Sequence, residues 1–452
     1  MARPVTNAAF EALLRTAGYG NAHAAFARQL NHAGRIHGAW RYDAASVYWW
    51  LRGRRPVDHV QATMAETFAR KLGRPVAVTE LGFTARDVTA NAGYPTSAGQ
   101  AIDAAERLWA MLAKQLGSAP GGTFQSGDAL QTALAWRYDL PDRAVACSGR
   151  QLVTSADIQS LYALADHFTD LDRRHGGGSP RTRALMVDLL VRQVVPMLRG
   201  SYNDAVGRDL MRATATLSGQ LAFMSYDAGD HGIAQHHLTI ALRLAKAADD
   251  RLYGAHLLAN LATQAVYLGH AHDAVRLAEA AIDGAGRAPA AVRSRLYTTA
   301  ASAYGTSGER RACQNALAMA ERAIDRTDPD GGPRWVSYFS PAHLAGAAVK
   351  CLSDLGLYRQ ALRHTTDALT VANQNIRTRA LHTAVIATTH ARAGDIEAAY
   401  DRGRELTHHA TAVHSARVTH RVRELATALR PHRAVPEINE LLLTLAAPTV
   451  PR

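Results

Sequence analysis

Residues 21–56 read NAHAAFARQLNHAGRIHGAWRYDAASVYWWLRGRRP. Asn21 is placed to cap a helix whose apolar residues Ala25, Phe26 and Leu30 share one face. A polar, basic connection follows from Asn31 to Tyr42. Asp43 then caps a second helix in which Val47, Trp50 and Leu51 recur at i, i+3 and i+4. That spacing predicts Val47 and Trp50 inside and Tyr48 and Trp49 outside. Gly53 supplies a left-handed stop, and Pro56 blocks continuation. Two short helices, the second ending in Arg52, Arg54 and Arg55, have the form of a DNA reader.

The run Asp43-Ala44-Ala45-Ser46-Val47-Tyr48-Trp49-Trp50-Leu51-Arg52-Gly53 resembles the recognition helix of phage-repressor-like helix-turn-helix domains. Phe26-Ala27-Arg28-Gln29-Leu30 resembles the helix before it. The family's turn is about four residues, and the one here is much longer. A long turn followed by helical repeats is similar to actinobacterial helix-turn-helix/tetratricopeptide regulators. This resemblance implies that Ala45, Ser46, Tyr48 and Trp49 face double-stranded DNA. Ser46 then bonds a base edge and Ala45 meets a thymine methyl. Arg41, Arg52, Arg54 and Arg55 suit phosphates, and Asn21 and His23 open a helix whose first amides also suit one. The alternative for each is packing for the aromatics and a solvated rim for the arginines.

Working outward, residues 6–18 form a first helix around Phe10, Leu13 and Leu14, and Asp58 caps another through Met64, Phe68 and Leu72 to Gly73. Pro75 to Phe83 reads as a connector, closing a domain near residue 90. Up to residue 90 there are 12 Lys+Arg and 6 Asp+Glu, a balance of +6, half of the whole-chain +12. A basic excess concentrated there fits a polyanion partner. Only four of the 51 cations are lysine, as a GC-rich genome would give, but that does not explain the clustering.

Beyond this domain, 98–116 is one amphipathic helix and 117–128 is Gly/Ser-rich and read as flexible. Little is assigned from 129 to 153, so 91–153 is taken as a helical linker. Ser155 caps a helix through Leu161, Leu164, Phe168 and Leu171. Gly176-Gly177-Gly178-Ser179-Pro180 starts the next, through Leu185, Leu189, Leu190 and Val194, which Pro196 ends or kinks.

A repeat then fills 154–452. Turn glycines recur at Gly229, Gly269, Gly308, Gly356 and Gly394, each between two helix-length patterns. A small residue follows five positions later: Ala234, Ala274, Cys313, Ala361 and Ala399. The glycine ends one helix and the small residue lets the next approach, the pattern of a helical-hairpin solenoid. The widest spacing, Gly308 to Gly356, places an insertion at Thr327–Ser337. Asn260-Leu261-Ala262-Thr263-Gln264-Ala265-Val266-Tyr267-Leu268-Gly269, followed by Ala274, resembles the tetratricopeptide repeat, with departures at Ala262 and Ala265. Leu355-Gly356-Leu357-Tyr358-Arg359-Gln360-Ala361 resembles its turn. The resemblance implies that first helices line a concave face for a peptide, protein or small effector. Counted back from the glycines, that face carries Gln220, Phe223, Tyr226, Asn260, Thr263, Tyr267, Thr299, Ser302 and Lys350. Asn260 stands where the family often holds peptide backbone. The alternative is packing between repeats.

The fold expected is therefore all-α: a helix-turn-helix domain followed by a tetratricopeptide-like α-solenoid. Other chemistry finds little support. Adjacent histidines such as His236-His237 and His408-His409 diverge by about 100° on a helix and chelate poorly. His270 and His272 complete the close groups. No nucleophile elbow, GxGxxG or Walker lysine motif is present, so neither catalysis nor a cofactor or metal is expected. Cys147, Cys313 and Cys351 are odd in number and scattered, which fits a reducing cytoplasm rather than a disulfide framework. MARPVTNAAFEALL is not read as a signal peptide, and no membrane span is expected. The expected function is sequence-specific, nucleoid-associated transcription regulation by a homodimer. The family resemblance implies development or secondary metabolism as its setting. The competing class is a protein–protein adaptor that never touches DNA.

Overall fold

Short capped helices and glycine stops dominate the sequence, and the computed structural model carries them into an all-helical architecture. It describes residues 7–33, 40–52, 54, 56, 58–74, 76, 78–83, 93–114, 122–328, 332–372 and 375–446. Among these, the only β structure is a pair of isolated bridges, Cys147 with Tyr202 and Leu152 with Ser201. The chain divides into two compact units, Met1–Asn91 and Ala92–Arg452.

The first unit holds α1 (Ala8–Thr16), α2 (His23–Ala33), α3 (Ala44–Leu51), α4 (Asp58–Leu72) and a 3-10 turn at Val78–Leu81. That turn lies inside what the sequence leaves as connector. Asn7 caps α1 through the Phe10 amide at 3.0 Å and donates to the Leu81 carbonyl at 3.0 Å, tying the start of the unit to its end. An aromatic cluster forms the core. Phe26 stacks on Phe68 at 4.9 Å, and Phe10 meets both rings edge-on. One expectation is corrected. Helix α2 begins at His23, so Ala22 holds the cap position and its carbonyl takes the Phe26 amide at 3.2 Å. Asn21 lies one residue earlier and is exposed. Asn31 is also inside α2 and not in the connection.

The second unit opens with α5 (Ala98–Lys114), α6 (Ser126–Tyr138), α7 (Ser155–His175), α8 (Pro180–Leu189) and α9 (Val195–Leu198). Helix α6 occupies part of the expected flexible segment. Thr154, not Ser155, caps α7, and it exchanges hydrogen bonds with Asp157. Leu185 is exposed, and Met186 and Val187 face inward instead. A π-helical turn, Leu190–Val194, leads into Pro196. Such a turn widens the backbone where proline cannot donate.

Helix pairs then stack. They are α10 (Asp204–Ala228) with α11 (His231–Ala247), α12 (Arg251–Tyr267) with α13 (Ala271–Ala285), and α14 (Ala290–Ser307) with α15 (Arg310–Ile324). Next come α16 (Pro341–Asp354) with the broken helix α17 (Tyr358–Leu362) and α18 (Thr365–Ala368), then α19 (Ile376–Ala393) with α20 (Ile396–Ala410). Helices α21 (Ala416–Leu429) and α22 (Pro436–Ala446) follow. All five repeat glycines have positive φ, between 71° and 89°. The residue five positions after each is fully buried. Both halves of the repeat argument therefore hold at every turn. The stack also folds back on itself, because α7 and α21 each pack against both α10 and α19.

The glycine requirement is testable at Gly394, where φ is +86° and an added Cβ meets nothing within 4 Å. Gly394→Ala adds backbone strain alone and is expected to cost about 1–2 kcal/mol, read from urea unfolding. No measurable loss would show that the turn relaxes without a left-handed residue.

Candidate functional site

Two places gather the residues that the sequence singles out, one in each unit. In the first unit Asp43 caps α3 by accepting the Ser46 amide at 2.8 Å, and the Ser46 hydroxyl closes the capping box. Asn31 of α2 holds Tyr42, the residue before the Asp43 cap. Its Nδ2 donates to the Tyr42 carbonyl at 2.8 Å and its Oδ1 accepts the Tyr42 amide at 2.9 Å. A side-chain amide carries both donor and acceptor, which matches the backbone N–H and C=O of a single residue. The Tyr42 ring then packs edge-on against Trp50 at 5.1 Å.

These anchors fix the rotation of α3. Val47 and Trp50 are buried, at 0% and 4%, while Tyr48 and Trp49 are exposed, at 37% and 44%. Ala45 is exposed and Ser46 half-buried on the same side. The Arg52 guanidinium stacks 3.4 Å from the Tyr48 ring centre and donates to the Tyr48 carbonyl at 3.2 Å. It thereby covers one ring face and the end of α3. Arg41 and Arg54 are exposed at either end of the helix, and His23 is half-buried at the start of α2. Arg55 and Gly53 lie outside the described residues.

In the second unit Phe223, Tyr226, Asn260 and Thr263 line one small recess, with Ala222, Leu238 and Gln264. Tyr267 packs edge-on against Tyr226 at 5.5 Å, and His420 packs on Tyr267 at 5.2 Å. The Arg417 guanidinium lies 4.9 Å from the Tyr226 ring centre, and that of Arg377 lies 5.0 Å from the Phe223 centre. Burial raises the pKa values of Tyr226 and Tyr267, the latter to about 12, so both stay neutral hydroxyls. Asn260 Nδ2 pairs with His256 Nε2 at 3.2 Å, and Asn260 Oδ1 accepts from Arg295 at 3.2 Å. Burial, then the Arg295 charge, push His256 down to about 3, so that ring is neutral.

The remaining expected groove residues are spread out. Gln220 meets the Thr169 hydroxyl at 3.5 Å. Thr299 is buried, and its hydroxyl is shared with Arg295. Ser302 donates to the Thr298 carbonyl and receives the Cys351 thiol. Lys350 pairs with Asp354 beside a second recess that also includes Arg421 and Glu424.

Arg295, Arg377, Arg417 and Gln264 are not singled out by the sequence. Their positions are set by partners in distant segments. Trp335, inside the Thr327–Ser337 insertion, packs 4.6 Å from His256, and Tyr338 accepts from Arg295 Nε at 2.9 Å. Residues 334–336 of the insertion thus pack against α12 and α14.

Residues 10–84, which span the helices of the first unit, match the family described as the SP15 N-terminal domain. No curated protein matches the chain. Among the described residues no helix is long and apolar enough to cross a membrane.

Proposed function

We propose that the first unit is a helix-turn-helix domain that binds double-stranded DNA through α3, and that the second is a tetratricopeptide-like sensor for an effector. The observation that carries this reading is the face of α3. It presents Ala45, Tyr48 and Trp49 outward between exposed Arg41 and Arg54, while Val47 and Trp50 fix its rotation from below. The +6 balance of the first 90 residues supports it. Tyr48 and Trp49 reach base edges and sugars, and Arg41, Arg52, Arg54 and Arg55 hold phosphates. Dimerisation through the second unit would place two such helices on paired half-sites, as a sequence-specific transcription regulator needs.

Binding of the full chain to a labelled duplex tests this by fluorescence anisotropy across a salt series. Affinity is expected to fall steeply with salt. The triple change Arg52→Ala, Arg54→Ala and Arg55→Ala should weaken binding to every duplex. It should also lower the log–log salt slope by about two to three, roughly one for each phosphate left unneutralised. An adaptor that never touches DNA shows no duplex binding, and a folded triple variant with wild-type slope removes these arginines from the interface.

A further inference from the structure

We infer that the recess beside Asn260 takes the anionic group of a small ligand, a carboxylate or a phosphate, on Arg295. This rests on reading the groove as an effector site and specifies what that site recognises. Three guanidinium groups gather around it. Arg377 pairs with Asp172 at 2.6 Å and approaches Asp227 at 3.5 Å, and Arg417 lies 3.6 Å from Asp227. Those two carboxylates are thereby engaged. Arg295 has the Tyr338 hydroxyl, the Thr299 hydroxyl and the Asn260 carbonyl oxygen as its side-chain partners, all of them neutral. A half-buried cation held only by neutral acceptors leaves one positive charge uncompensated, in a setting where screening by water is weak. An oxyanion that accepts from its planar fork supplies the missing charge.

A second observation lies one turn further along α12. Gln264 lines the same recess and is fully buried. Its Nε2 donates to the His231 carbonyl at 2.7 Å, but its Oε1 has no partner. An unmet buried acceptor calls for a donor from outside the protein. The ligand therefore carries an N–H or O–H donor as well as its anionic group. The rings of Phe223 and Tyr226 supply the apolar wall between them.

Benzoate, phenyl phosphate and uncharged benzamide serve as probes, titrated against the full-length protein by ligand-observed NMR. Wild type, Arg295→Ala, Arg295→Lys, Arg295→Gln and Asn260→Ala are compared, with circular dichroism to establish that each is folded. Both acids are expected to bind the wild type at least tenfold more tightly than benzamide. Arg295→Ala and Arg295→Gln should lose about 10- to 100-fold for the acids while leaving benzamide unchanged. Arg295→Lys keeps the charge and should retain part of the acid affinity. The ratio of phenyl phosphate to benzoate affinity distinguishes the two anion chemistries. The inference is overturned if neither acid binds the wild type, or if the acids bind Arg295→Ala and Arg295→Gln as tightly as wild type. Benzamide bound as tightly as the acids, and lost in Asn260→Ala, would defeat the anion assignment and leave the groove reading standing.

Discussion

Trp50→Ala is expected to unfold the first unit, whereas its neighbour Trp49→Ala should leave it folded. Trp50 is 4% exposed, packs on Tyr42, and belongs to a core that includes Phe10, Phe26, Val47 and Phe68. Truncating a buried tryptophan costs about 3–5 kcal/mol from lost transfer energy and the cavity left behind. A small domain has only about 5–15 kcal/mol in total, so at the lower end of that range the loss takes most or all of it. Trp49 is 44% exposed, and its truncation is expected to cost below about 1 kcal/mol. Hydrogen exchange followed by mass spectrometry on the full chain separates the two. Peptides from residues 8–33 should lose protection in Trp50→Ala only, while those from α10 to α15 remain protected. A greater loss in Trp49→Ala would mean that α3 is rotated by about 100°. It would also remove Trp49 from the face proposed to meet DNA.

That contrast is legible in the sequence because it is local. A cap at Asp43 and a 3.6-residue period place Val47 and Trp50 on one side with no knowledge of the rest of the chain. The repeat is legible for the same reason, since each left-handed glycine and the small residue after it lie in one short segment. What does not show depends on partners far along the chain. The buried face of α6 is Ala129, Thr132, Ala133 and Trp136, too small and mixed to stand out. It exists because Trp136 seats against Gly254 and Gly284, where any Cβ would collide with the indole. The cationic floor of the groove is invisible likewise. Arg295 and Arg377 resemble any other arginine until Tyr338 and Asp172 are brought to them. The stripe Phe223, Tyr226, Asn260 and Thr263 follows from periodicity and does share one recess. Thr299 follows the same periodicity but is drawn into the network of Arg295.

Arg377→Ala is expected to cost about 3–5 kcal/mol and to loosen the second unit where its ends meet, because it leaves buried Asp172 without its cation and Asp227 with Arg417 alone. The Arg377 side chain is 7% exposed, Asp172 4% and Asp227 0%. Burial works against the charge on Arg377, but Asp172 and Asp227 outweigh it and raise its pKa. Asp227 also accepts the Ser415 hydroxyl at 2.8 Å and the Gly177 amide at 3.0 Å. The node therefore joins the end of α7, the end of α10, the start of α19 and the entry to α21. Urea unfolding of the full chain reads the loss. The double variant Arg377→Met with Asp172→Leu removes both charges of the closest pair and should be markedly less destabilised than Arg377→Ala, since an apolar pair of similar volume carries no desolvation penalty. If the double variant is as unstable as the sum of its single changes, the two residues are not coupled and the node is not what holds the ends together. The consequence reaches the recess, because Arg377 packs over Phe223 and Arg417 over both Phe223 and Tyr226. Hydrogen exchange in the Arg377→Ala protein should therefore rise in α10 and α21 together, while the α14–α15 pair, which takes no part in the node, keeps its protection.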